Sequence, residues 1–120
     1  ADIQLSKIAD PVNLPQFDVG NNSYKVEFIV RATNNGNGAG AYDITDLAVA
    51  PSGMVIEKTL IAYDPGNTEN QQGIITNSIG NNAATVTGEG LSGQGVETWN
   101  VTVLYKVTAS DDVVGGKQSC

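Results

Sequence analysis

Apolar and polar residues alternate with a period of two along much of the chain, and that alternation predicts β-strands. Tyr24, Val26, Phe28, Val30 and Ala32 share one parity, while Lys25, Glu27, Arg31 and Thr33 hold the other, broken only by Ile29. Such a strand sets one face on a core and the other in water. The last strand repeats the pattern more strongly. Trp99, Val101, Val103, Tyr105 and Val107 alternate with Asn100, Thr102 and Lys106, and Leu104 is the one apolar exception. A shorter first strand carries Ile3, Leu5 and Lys7 on one parity and ends at the break from Asp10 to Pro15. Tyr42, Ile44 and Asp46 share a face just after Asn34 to Gly40, a run of residues that tolerate positive φ. Further strands are expected over 55–63, 74–79 and 83–91, set apart by a turn from Ala50 to Met54 and a polar loop from Asp64 to Gly73.

No segment places apolar residues at i, i+3, i+4 and i+7 over several turns, so no helix is expected. Six or seven short strands joined by turns predict an all-β sandwich or barrel. Residues 1–120 show neither an internal repeat nor a low-complexity linker, and read as a single domain. The parities nominate Leu5, Phe28, Val30, Ile44, Trp99, Val101 and Val103 as its core.

The succession of segments resembles the repeat domain of bacterial and archaeal surface proteins known as domain of unknown function eleven. The matching elements are "IQLSKIADP" (Ile3 to Pro11), "VGNNSYKVEFIVRATNNGNGAGAYDITD" (Val19 to Asp46), "LAVAPSGM" (Leu47 to Met54) and "GLSGQGVETWNVTVLYKV" (Gly90 to Val107). Two departures stand out: Ala48, Val49 and Ala50 separate Leu47 from the Pro51 turn, and no usual closing segment is evident after the last strand; 56–87 is the least diagnostic part of the match. The resemblance implies an immunoglobulin-like antiparallel β-sandwich of about seven strands, one piece of a longer multi-domain surface or secreted protein. It implies no catalytic activity, with neighbouring domains of the same chain as the first partners and a host or envelope protein or glycan as further ones.

Charge and composition narrow the chemistry. Acidic residues outnumber basic ones 13 to 6, for a formal charge of −7. That sign disfavours phosphate backbones and anionic lipid heads. The basic residues Lys7, Lys25, Arg31, Lys58, Lys106 and Lys117 are too scattered in sequence to suggest a patch. No apolar run approaches the roughly 20 residues that cross a bilayer as a helix. Histidine is absent, which removes the commonest general base and transition-metal ligand, and Cys120 has no second cysteine to pair with. Ser52 and Ser92 have no histidine to activate them.

Two constellations remain. Lys7 and Asp46 both fall on inward parities, which suits an intramolecular isopeptide bond: a buried neutral amine attacking an Asn carboxamide that a neighbouring carboxyl polarises. The third member is missing, since Asn100 has outward parity and no Asn follows it. Asp64, Asn67 and Glu69 offer oxygens in one loop, the chemistry Ca²⁺ prefers, with Asp43, Asp46, Asp111 and Asp112 as further donors. No cofactor is otherwise indicated. The sequence therefore points to a non-catalytic structural or adhesive module, extracellular or at the cell surface. The alternative is a Ca²⁺- or glycan-binding sandwich that works through its Asx-rich loops.

Overall fold

The computed structural model describes residues 1–108. Cys120, Lys117 and the Asp111–Asp112 pair lie outside them. Eight strands and no helix make up the described chain: β1 (Ile3–Ala9), β2 (Gln16–Asp18), β3 (Ser23–Asn34), β4 (Gly40–Leu47), β5 (Met54–Tyr63), β6 (Ile74–Ile79), β7 (Ala83–Leu91) and β8 (Val96–Val107). The expected all-β antiparallel sandwich is what forms, with one strand more than anticipated. The addition is the short β2, which sits just past the proline break and pairs with the first residues of β3.

A five-stranded sheet runs β1-β3-β8-β5, with β2 beside β3, and it faces a three-stranded sheet ordered β4-β7-β6. The spine is the β3–β8 pair, in unbroken register from Ser23↔Lys106 to Thr33↔Val96. Alternation along these strands sends Val30, Ala32, Trp99, Val101 and Val103 inward. There they pack with Tyr42, Ile44, Ile61, Val86 and Leu91. Trp99 is fully enclosed, and its ring meets Tyr63 edge-on at 4.8 Å between centroids.

Two residues of the expected core are placed differently. Leu5 has the right parity, opposite Ala32, but remains 47% exposed. β1 is an edge strand, and its inner face overlooks a cleft rather than a packed layer. Phe28 is half-buried and packs on the margin of the core.

The two sides of the sandwich close differently. Between β5 and β6, side chains take over the role of a backbone ladder. Asn77 accepts from the Ile61 amide at 2.9 Å, Ser78 accepts from the Thr59 amide and donates to its carbonyl, and the Thr59 hydroxyl donates to Asn81 O at 2.9 Å. Between β1 and β4 a shallow cleft of about 180 Å³ stays open, lined by Leu5, Lys7, Val30, Ile44 and Asp46 among others.

Candidate functional site

Lys7 reaches across this open cleft to Asp46. Its ammonium donates to Asp46 Oδ1 at 3.0 Å and lies 4.5 Å from the centre of the Phe28 ring. Two of the three members of the isopeptide constellation are thus brought together. The acceptor is not: Asn100 is in register with Ile29 and lies on the outer face, whereas Lys7 is in register with Val30 on the inner one. The geometry makes Lys7–Asp46 an ion pair, in which a carboxylate only 3% exposed depends on one partly exposed ammonium. Burial first, and then the charge of Asp46, push the nearby Tyr105 hydroxyl above the usual phenol range. Lys7→Met should therefore cost about 1–3 kcal/mol, the usual penalty for orphaning a buried polar group. Urea denaturation would measure it, and adding Asp46→Leu should recover much of the loss; a Lys7→Met variant as stable as the parent would show that Asp46 needs no partner.

The loop nominated for Ca²⁺ is spent on structure. Asp64 Oδ1 closes a turn by accepting from Gly66 N at 3.1 Å. Asn67 clasps the backbone of Thr98, donating to its carbonyl at 2.8 Å and accepting from its amide at 2.9 Å. Glu69 Oε2 accepts from the Ser92 hydroxyl at 2.6 Å. The three side chains turn to separate partners, and among the described residues no group of three or more acidic, histidine or cysteine side chains is placed to hold a metal. Asp10 does similar work at the proline break. Hydrogen bonds from the amide and carboxamide of Asn13 and the amide of Val12 hold its carboxyl below the usual carboxylate range.

The same loop is anchored to a buried acidic network that the sequence did not announce. Glu97 and Glu89 are 1% and 0% exposed. Glu97 Oε1 accepts from Tyr42 and Oε2 from Tyr63, both at 2.6 Å, and Trp99 Nε1 in turn donates to the Tyr42 hydroxyl at 2.8 Å. Glu89 Oε1 accepts from the amides of Gln72 and Gly73 at 2.9 and 2.7 Å. The loop passes so close here that a Cβ at Gly73 would meet Val86 Cγ1 at 2.7 Å, so glycine alone fits without displacement. Glu89 Oε2 has no donor among the described residues. Burial pushes the Glu97 carboxyl up, the two tyrosine hydroxyls draw it partly back, and Glu89 pushes it further up. Burial and the bond to Glu97 raise both tyrosines above the usual phenol range. The enclosed pair ties β4, β5 and β8 together through Glu97 and holds the loop before β6 through Glu89.

A second concavity, larger than the β1–β4 cleft, lies on the outer face of the five-stranded sheet. It is an open cavity of about 870 Å³, lined by Gln16, Phe17, Lys25, Lys58, Leu104 and Lys106 among others. Register assembles it. Lys25 and Lys58 both oppose Leu104, from the two sides of β8, and Lys106 lies one outward position further along, opposite Ser23 and Val55. A bulge at Glu57, between Ile56↔Tyr105 and Lys58↔Leu104, keeps Ile56 inward while turning Lys58 out. Residues that sequence distance had scattered thus form a basic patch, correcting that expectation.

Comparison with protein-family models, with curated proteins and with solved structures finds no match. The fold defines the class of protein, an all-β antiparallel sandwich with a buried carboxyl clamp and a basic outer concavity.

Proposed function

We propose that the chain is a non-catalytic structural or adhesive module of a cell-surface or secreted protein, working in series with neighbouring domains. The observation that carries this reading is where the strands begin and end. β1 starts level with Asn34, and β8 finishes level with Ser23, at opposite ends of the same long strand β3. The two points are separated by roughly 35 Å at about 3.3 Å per residue. A load applied between them pulls along the strands, at right angles to the ladder hydrogen bonds, so many bonds must fail together. The succession of segments that resembles surface-protein repeats supports the same reading. So does the use of the acidic loops for turn closure and of both candidate reactive groups for an ion pair.

Single-molecule extension tests it. Handles at Ala1 and Thr108 load the sheet in shear, whereas handles at Asp2 and Asn35 peel β1 from β3 one bond at a time. The unfolding force in the first geometry should be severalfold that in the second. Equal forces would remove the mechanical argument for a spacer.

A further inference from the structure

Asn35 and Asn37 are the only asparagines followed by glycine, and both lie in the loop between β3 and β4. An Asn-Gly bond can rearrange with no reagent but water. The glycine amide gives its proton to hydroxide, and its nitrogen attacks Cγ of the asparagine. The new N–Cγ bond forms as the Cγ–Nδ2 bond breaks, and the carboxamide nitrogen leaves as ammonia after taking a proton from water. A cyclic succinimide remains, which water opens at either carbonyl to give aspartate or isoaspartate. Glycine favours the closure because it has no side chain to crowd the ring and turns freely. We infer that the fold protects the first of these bonds and leaves the second free to react, so that Asn37–Gly38 is a self-modifying site. Aspartate there adds a negative charge to the β3–β4 loop, and isoaspartate adds a carbon to its backbone.

The attack requires the peptide unit after the asparagine to turn until its nitrogen faces Cγ. In the first pair that unit is held from both sides. Gly36 N donates to Asn34 Oδ1 at 3.0 Å, and the Asn35 carbonyl accepts from Gln94 Nε2 at 2.9 Å. Asn34 is itself 1% exposed and also accepts from Asp2 N at 3.1 Å, so this acceptor is fixed. The start of the chain crowds the same spot: a Cβ at Gly36 would meet Asp2 N at 3.0 Å and Ala1 Cα at 3.1 Å. The second pair is free of such ties. Neither Gly38 N nor the Asn37 carbonyl has a hydrogen-bond partner among the described residues, and both residues are exposed. The Asn37 carbonyl rests only against Gly93, which has no side chain there to hold it. One contact assists the reaction. Gln94 Nε2 donates to Asn37 Oδ1 at 3.2 Å, the atom on which negative charge gathers during the attack. Gln94 stands at φ 61°, and its own amide is bound to the Gly36 carbonyl at 2.9 Å. The same carboxamide thus guards Asn35 and polarises Asn37.

Folded protein held at mildly alkaline pH should convert Asn37 at least about tenfold faster than Asn35, a difference of about 1.4 kcal/mol in barrier. Peptide mapping that separates aspartate from isoaspartate reads both positions in one digest. In concentrated guanidinium, where the loop's hydrogen bonds are gone, the two rates should come together. Gly38→Ala should slow Asn37 at least about tenfold, because a methyl group then crowds the ring. The melting midpoint of this variant should not move, since a Cβ at Gly38 meets nothing within 4 Å. Gln94→Gly keeps a residue at ease with positive φ and removes the carboxamide, so it should slow Asn37 and quicken Asn35. An unchanged ratio in that variant would overturn the part given to Gln94. The inference as a whole fails if folded protein converts Asn35 as fast as Asn37, if the preference persists in guanidinium, or if folded Gly38→Ala converts like the parent.

Discussion

Trp99→Ala should remove about 3–5 kcal/mol of stability, the range for truncating a large aromatic in a packed core. The indole is fully buried at the middle of the β3–β8 spine, opposite Val30 on one side and Tyr63 on the other. Its loss would empty the space between the two sheets where Val101, Ile61 and Ile44 meet it. The truncation also removes a donor, because Trp99 Nε1 supplies the hydrogen bond that orients the Tyr42 hydroxyl toward Glu97. Domains of this size have about 5–15 kcal/mol in total, so the variant should begin to melt near physiological temperature. Trp99→Phe separates the two contributions: much of the apolar volume stays, and the lost donor should cost about 1–2 kcal/mol. Denaturant titration followed by circular dichroism measures both. A Trp99→Ala protein with the midpoint of the parent would show that the indole is not what closes the sandwich.

What the sequence disclosed follows how local each feature is. Parity along β3 and β8 is a property of neighbouring residues, and it places Val30, Trp99, Val101 and Val103 correctly inside. Leu5 has the same signal, but whether an inward side chain is covered depends on what lies across from it, and β1 faces an open cleft. Bulges defeat parity outright. Between Tyr42↔Glu89 and Ile44↔Val86, β7 holds one residue more than β4, and Gly88 absorbs it at φ 76° while its amide donates to Asp43. That extra residue turns Glu89 inward, whereas simple alternation from Val86 would send it out. Glu97 did carry a legible signal, the same parity as Trp99 and Val101, though an acid on that face reads as an anomaly until two tyrosine hydroxyls are found opposite it. The basic concavity was not legible at all, because Lys25, Lys58 and Lys106 meet only through long-range register. The Asx-rich loop shows the reverse: oxygens close in sequence need not converge in space once each finds a backbone partner.

The carboxyl clamp should make the sandwich respond to pH in the direction opposite to ordinary acid denaturation. The folded state raises the Glu97 carboxyl. Its contribution is therefore fully present below the value of an unfolded glutamate, about 4.3, and is lost as pH rises through the higher folded value. Over that interval stability should fall by up to about 1.4 kcal/mol per pH unit. Asp10 works the other way. Its lowered carboxyl contributes above the unfolded aspartate value and loses that contribution as pH falls through the folded one. The two together place the stability maximum in mild acid rather than at neutrality. Glu97→Gln removes the titrating carboxyl: its carbonyl can still accept from Tyr42, and Tyr63, which loses Oε2 as an acceptor, keeps the Glu69 carbonyl. This variant should show a flatter pH profile than the parent as pH rises from mild acid, because the raised carboxyl no longer titrates. Glu97→Ala should instead lose about 2–5 kcal/mol at either pH, since it leaves a cavity and strands the Tyr42 and Tyr63 hydroxyls. Parallel pH profiles for the parent and Glu97→Gln would show that burial does not raise the Glu97 carboxyl.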